Sequence, residues 1–232
     1  MSIEILAYEP TPLGLLCLRR RDLLAQPDVS VTEVTLNHEF LMSSYLTDSE
    51  RALSTVGLSL VDTQSSKGKL NVLVGGLGLG YTAAEVLKST DVESVEVVEF
   101  LPQVIGWLEA GLIPLATELQ SEPRLKITNG DIYARLAEPP AAAFDLIAID
   151  VDHSPEDVLG EQSIGFYSEA GLQQAKSHLV PGGILGVWSY AESTPLLDHM
   201  RLVFDHVHVE QVRVFNDLIN EEQTDWLFFG RR

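Results

Sequence analysis

The chain has 232 residues, 45% of them hydrophobic and 21% charged, with 15 Lys plus Arg against 34 Asp plus Glu for a formal net charge of −19. A chain of this length can bury one sizeable core, and so acidic a surface repels nucleic acid phosphates and attracts cations, which excludes DNA and RNA as expected partners and keeps a cationic amine among the expected small-molecule substrates. No apolar run reaches the roughly 20 residues of a membrane span, the first residues lack a signal-peptide pattern, and Cys17 alone allows no internal disulfide, so no membrane association and a cytoplasmic location are expected.

In chain order, "IEILAY" (3–8), "GLLCL" (14–18) and "VSVTEVTL" (29–36) read as short strands separated by turns, and "NHEFLMSSYLTDSERALSTVGL" (37–58) as a bridging helix. Residues 1–60 are thus expected to form a small N-terminal β element with a bridging helix. The basic run Arg19–Arg21 reads as a solvated strand end, and the polar stretch Asp62–Lys69 as the boundary. From residue 69 to 232 strands and helices alternate: "LNVLVGG" strand, "YTAAEVLKST" helix, "VESVEVVEF" strand, "PQVIGWLEAGL" helix, then strands "RLKITNGD" and "FDLIAIDVD". "YSEAGLQQAKSHLVPGG" reads as a helix with a Pro-Gly-Gly stop, "ILGVWSY" as a strand, "STPLLDHMRLVF" as a helix, and "HVHVEQVRVFNDLINEEQTDWLFFG" as two strands forming an antiparallel edge. This order implies an α/β fold with a mostly parallel sheet covered by helices on both faces.

Ligands of such sheets bind at the carboxyl ends of the strands. Four glycines, Gly75, Gly76, Gly78 and Gly80, follow the first strand of the series at a helix entrance, where bare backbone and unpaired N–H groups suit a polar or anionic group. Glu99 ends the next strand about 20 residues on, the place from which an acid takes ribose hydroxyls. Asp131 ends the third, where it either accepts from an adenine amino group or caps the helix "IYARL". Asp150 ends the fourth behind the apolar run "LIAI", followed by Asp152 and His153. Tyr81 and Thr82 stand where a P-loop needs Lys and Ser or Thr, so a triphosphate is not expected; "GLGYTA" fits G-x-G-x-x-A and leaves NAD open. Trp188, after the fifth strand of this series, either walls the pocket or packs the core. His206 and His208 share a strand face without a third ligand, so no metal is expected.

The run "NVLVGGLGLGYTAAEVLKSTDVESVEVVEFLPQVI", with "FDLIAIDVDHSP" and "IGFYSEAGLQQAKSHLVPGGIL", resembles the spermidine synthase-like polyamine aminopropyltransferases, and "LNHEF" is similar to their "YHE" motif. The resemblance implies a Rossmann-like class I methyltransferase fold with a seven-stranded sheet, a homodimer, and a donor that is S-adenosylmethionine or its decarboxylated form, with methylthioadenosine as product. It further implies the glycine loop on the donor's arm, Glu99 on the ribose, Asp131 on the adenine, Asp150 as the catalytic base facing sulfonium and amine, and His38, Glu39, Asp152, His153 and Trp188 around the acceptor. The chain departs from the pattern where Gly78 replaces the acid of "GGGDGG" that selects the decarboxylated donor, and where His153 replaces the second Asp of "DSSD". Gly78 adds weight to methyl transfer from intact S-adenosylmethionine, and a non-catalytic nucleoside-binding protein is the third expectation.

Overall fold

The computed structural model describes residues 3–23, 26, 29–62, 68–160 and 163–232. Its N-terminal part is an antiparallel meander of β1 (Ile3–Thr11), β2 (Gly14–Asp22), β3 (Ser30–Leu36) and β4 (Glu39–Ser43). The basic run lies within β2: Arg19 and Arg21 reach across to Glu33 on β3 through Nε atoms at 2.9 and 2.7 Å. Burial alone would raise the Glu33 carboxyl, and the two guanidiniums outweigh it and hold it below its ordinary value.

The expected helix over 37–58 is corrected in its first half. Asn37 and His38 both adopt left-handed backbone, with φ of 51° and 72°, and close a two-residue hairpin in which Leu36 pairs with Glu39. The Asn37 side chain fastens the turn, accepting from Leu15 N at 2.9 Å and donating to Leu13 O at 3.1 Å. The helix α1 runs only over Asp48–Leu60. The polar boundary stretch falls mostly on residues 63–67, which lie outside the described residues.

The second sheet has seven strands in the order β10-β11-β9-β8-β5-β6-β7, formed by β5 (Leu70–Gly75), β6 (Val92–Glu99), β7 (Leu125–Asn129), β8 (Phe144–Ile149), β9 (Leu179–Ser189), β10 (His206–Asn216) and β11 (Glu221–Arg231). β5 pairs in parallel with both β6 and β8, and β11 joins β9 antiparallel, as the tail's pattern implied. β8 is buried at every position, as befits a strand covered on both faces. One face carries α1 with α2 (Tyr81–Leu87), α3 (Pro102–Glu109) and α4 (Ala116–Gln120), and the other α5 (Ile132–Ala137), α6 (Glu169–Ser177) and α7 (Thr194–Val203). Pro181, Gly182 and Gly183 do not end the helix, which stops at Ser177; they fall inside β9, where the register against β8 slips. The small sheet shares the first core through Leu16, Leu18 and Val34, and so sits over the tips of β5 and β6.

Candidate functional site

A cleft of about 890 Å³, its open mouth included, lies between the small sheet and the tips of the large one. The sheet order lays four sequence-predicted residues or loops side by side along it: Asp131 after β7, Glu99 at the end of β6, the glycine loop after β5 and Asp150 after β8. Neighbouring strands are about 4.8 Å apart, so the first three stations span roughly 10 Å and the fourth lies one step further.

The four glycines divide their work. Gly76 and Gly78 line the cleft. Gly76 has φ +91° and a Cβ there would stand 2.2 Å from the Asp150 carbonyl oxygen, so loop and β8 can approach only at glycine. Gly75 packs against Ile132 and Gly80 against Leu119, and neither lines the cleft, which corrects their assignment to the ligand: they shape the loop. The loop's amides are also turned inward. Gly76 N donates to Val98 O, Gly80 N to Leu77 O, and Leu77 N to Glu99 Oε2 at 2.8 Å, with Gly78 N acting on the same carboxylate. The amides of Gly76, Leu77, Gly78 and Gly80 are therefore given to the protein itself.

Glu99, 7% exposed, receives Leu101 N on Oε1 at 2.7 Å besides Leu77 N on Oε2. Burial holds its carboxyl above the ordinary value, against the opposing amides of Leu101, Leu77, Gly78 and Phe100. Asp131 caps α5 by accepting from Tyr133 N and Ala134 N, both on Oδ1, and it also lines the cleft, so cap and ligand wall coexist in one residue.

Asp150 stands in different surroundings. Thr82 Oγ1 donates to its Oδ2 at 2.6 Å, and burial raises its carboxyl to about 6, with Thr82 opposing and Asp225 on β11 adding to the rise. Glu50, in the first turn of α1, is raised to about 8 by burial and by the charges of Asp150 and Asp225. Burial likewise raises Asp225, against a hydrogen bond from Ser49. Among the described residues no cation is a chief influence on these three acids; Arg51 is committed to Glu85 at 2.7 Å and lies over the Tyr81 ring. A cationic group arriving beside Asp150 would relieve the crowding.

The acceptor residues expected from the resemblance are not all gathered here. His38 and Glu39 sit exposed at the β3–β4 turn and do not line the cleft, a correction that follows from the hairpin that replaces the expected helix. Asp152 does line it, but its oxygens are occupied: Tyr133 and Tyr167 donate hydroxyls to Oδ2 at 2.7 and 2.8 Å and Leu159 N donates to Oδ1 at 2.8 Å. It organises the loop rather than presenting a free carboxylate. His153 turns to Asp157, with Nδ1 3.6 Å from Oδ2, and meets Tyr190 edge-on, outside the cleft lining. Trp188 packs against the core beneath α1, with a buried Nε1 that has no partner among the described residues. Sequence reasoning missed Glu50, whose place in a helix's first turn reads as dipole complement, and Asp225, 75 positions beyond Asp150.

No family model matches the chain. It is similar to a polyamine aminopropyltransferase of Prochlorococcus marinus, 27% identical over 147 residues covering 63% of this chain and 46% of that protein, and to one of Mycobacterium tuberculosis, 32% identical over 131 residues covering 56% and 24%. The matched stretch thus spans less than half the length of either relative. Among solved structures, a spermidine synthase in complex with the transition state analogue AdoDATO superposes with a TM-score of 0.76 at 17% identity over 98% of this chain and 73% of that one. Human methyltransferase-like protein 13 in complex with SAH gives 0.57 at 21% identity over 78% and 81%. The fold is that of the spermidine synthases, a methyltransferase-like seven-stranded sheet with a small antiparallel sheet before it.

Proposed function

We propose that this chain binds an adenosyl sulfonium donor along the tips of β7, β6 and β5 and transfers its aminopropyl group to an amine held at Asp150. One observation carries the reading: among the described residues lining the cleft, every charged group is an acid, Glu99, Asp131, Asp150 and Asp152, and the rest of the wall is largely apolar. Such a site suits a cation with an uncharged aromatic end, which is what an adenosyl sulfonium is. The similarity to polyamine aminopropyltransferases supports the class of reaction.

Adenine rests at Asp131, the ribose hydroxyls reach the Glu99 carboxylate, and the sulfur stands above the glycine loop, which places its reactive carbon next to Asp150. The amine nitrogen attacks that carbon while the carbon–sulfur bond breaks and its electron pair returns to sulfur, leaving neutral methylthioadenosine. The new nitrogen–carbon bond makes the nitrogen's proton acidic, and Asp150 accepts it. A free alkylammonium has a pKa of about 10.4, so the acids at this end must orient the amine and receive its proton. Thr82 holds one Asp150 oxygen and leaves the other for the nucleophile.

Calorimetry with decarboxylated S-adenosylmethionine, S-adenosylmethionine and methylthioadenosine, followed by methylthioadenosine release with putrescine, tests the reading. The decarboxylated donor is expected to bind more tightly than the intact one, and Asp150→Asn to retain it while losing turnover roughly 10²- to 10⁴-fold. Tighter binding of the intact donor would instead establish methyl transfer, the reading that the missing acid at Gly78 favours. Binding that leads to no transfer, with Asp150→Asn indistinguishable from the native chain, would establish a non-catalytic nucleoside-binding protein.

A further inference from the structure

We propose that Met42, on β4 of the small sheet, is the specificity-determining residue of the donor's arm: its thioether fills the space beside Gly78 and makes that end of the cleft a pocket for an arm without a carboxylate. The inference rests on the adenosyl reading above and adds to it a residue from the other sheet.

The geometry is local. Gly78 has φ +51°, and a Cβ built there would lie 3.1 Å from Met42 Sδ and 3.5 Å from its Cε, so the volume that a side chain at 78 would take is held by the methionine. Both residues line the cleft, and Leu13, Leu16, Val34 and Leu41 extend the same apolar wall. On the adenosyl reading the donor's sulfur stands over β5, and its arm leaves between Met42 and Asp150, both of which line the cleft. The arm of the intact donor ends in an ammonium and a carboxylate; that of the decarboxylated donor ends in an ammonium alone. Beside Asp150 an ammonium meets negative charge. A carboxylate meets a thioether, no cation among the described residues of the cleft lining, and the amides of Gly76, Leu77, Gly78 and Gly80 already given to Glu99 and to backbone carbonyls. Burying it there without a partner is costly. An acid at position 78 is thus not needed to exclude the carboxylate: an apolar filler on the facing sheet does it by desolvation.

The test is the ratio of intact to decarboxylated donor dissociation constants in Met42→Ala, Met42→Leu and Met42→Arg, with methylthioadenosine, which lacks the arm, as the probe of an intact nucleoside site. The native chain is expected to favour the decarboxylated donor. Met42→Ala, which admits water beside the loop, should shrink that ratio roughly tenfold, and Met42→Arg, which supplies a cation, should reverse it, while Met42→Leu keeps it because the volume is conserved. Methylthioadenosine should bind all four chains alike. An unchanged ratio in both Met42→Ala and Met42→Arg, with methylthioadenosine still bound, overturns the role of Met42 alone. A native chain that fails to bind methylthioadenosine overturns the adenosyl reading, and the inference with it.

Discussion

Two buried acids at neighbouring strand tips meet opposite conditions. Glu99, at the end of β6, is wrapped in backbone amides, so its charge is spent on building the glycine loop and the entrance to α3. Asp150, after β8, has a single hydroxyl donor and stands among like charges from Glu50 and Asp225. The first is held by the amides of its own fold, against the burial that raises its carboxyl. The second is left poised, and what would settle it must come from outside as a cation. On the proposed function, the difference separates a donor end that is prebuilt from an acceptor end that is completed by its substrate.

The largest expected effect follows from removing the prebuilt acid. Glu99→Ala leaves the N–H groups of Leu77 and Leu101 buried without acceptors. Hydrogen bonds to a charged group are worth about 1.5–3 kcal/mol each, so a loss of roughly 3 kcal/mol in urea unfolding is expected together with loss of methylthioadenosine binding. Native stability with binding alone abolished would mean that Glu99 serves the ligand and not the loop, and the comparison would break at its first half.

A smaller effect tests the second half. Thr82→Val removes the hydroxyl that lowers the Asp150 carboxyl, so the acid limb of the pH–rate profile should move to higher pH, and Thr82→Ser should restore it. Turnover above that limb should change little, whereas a purely structural role for Thr82 would lower the rate at every pH and leave the limb where it was.

How far this contrast was legible in the sequence differs between its halves. The proposed donor end is local: a glycine loop after one strand and an acid about 20 residues on lie in one βαβ unit, and both stand at the strand ends the pattern predicts. Even there the pattern named four glycines as ligand contacts where only Gly76 and Gly78 face the cleft, because a glycine that admits a neighbour such as Leu119 looks the same in sequence as one that admits a ligand. Asp131 was legible as an adenine acceptor or a helix cap; the cap is present, and the residue also lines the cleft. The acids crowded around Asp150 come from α1 and β11, elements scattered from residue 48 to 231, and neither Glu50 nor Asp225, both outside the cleft lining, carries a local motif. Motif matching also drew attention to His38 and Glu39, where two left-handed residues turn a hairpin that no hydrophobic period reveals.

The smallest effect is the most diagnostic of the crowding. The Glu50 carboxyl is raised from 4.5 to about 8 and Asp150 from 3.8 to about 6, so between about pH 4 and pH 8 the folded chain holds more protons than the unfolded one. The associated stability is complete below the unfolded values and is lost as pH rises through the folded ones. Melting temperature should therefore fall between pH 5 and pH 8. Glu50→Gln removes the larger of the two contributions at nearly constant volume, so its melting temperature at pH 8 should exceed that of the native chain by a few degrees, at about 2–4 °C per kcal/mol for a chain of this size, with little difference at pH 4.5. A diamine added at pH 8 supplies the missing positive charge, and it should raise the native chain's melting temperature more than the variant's. If native stability instead rises from pH 5 to pH 8, or if diamine stabilises both chains equally, the acids beside Asp150 are not a cation site and only the donor end of the cleft retains a physical argument.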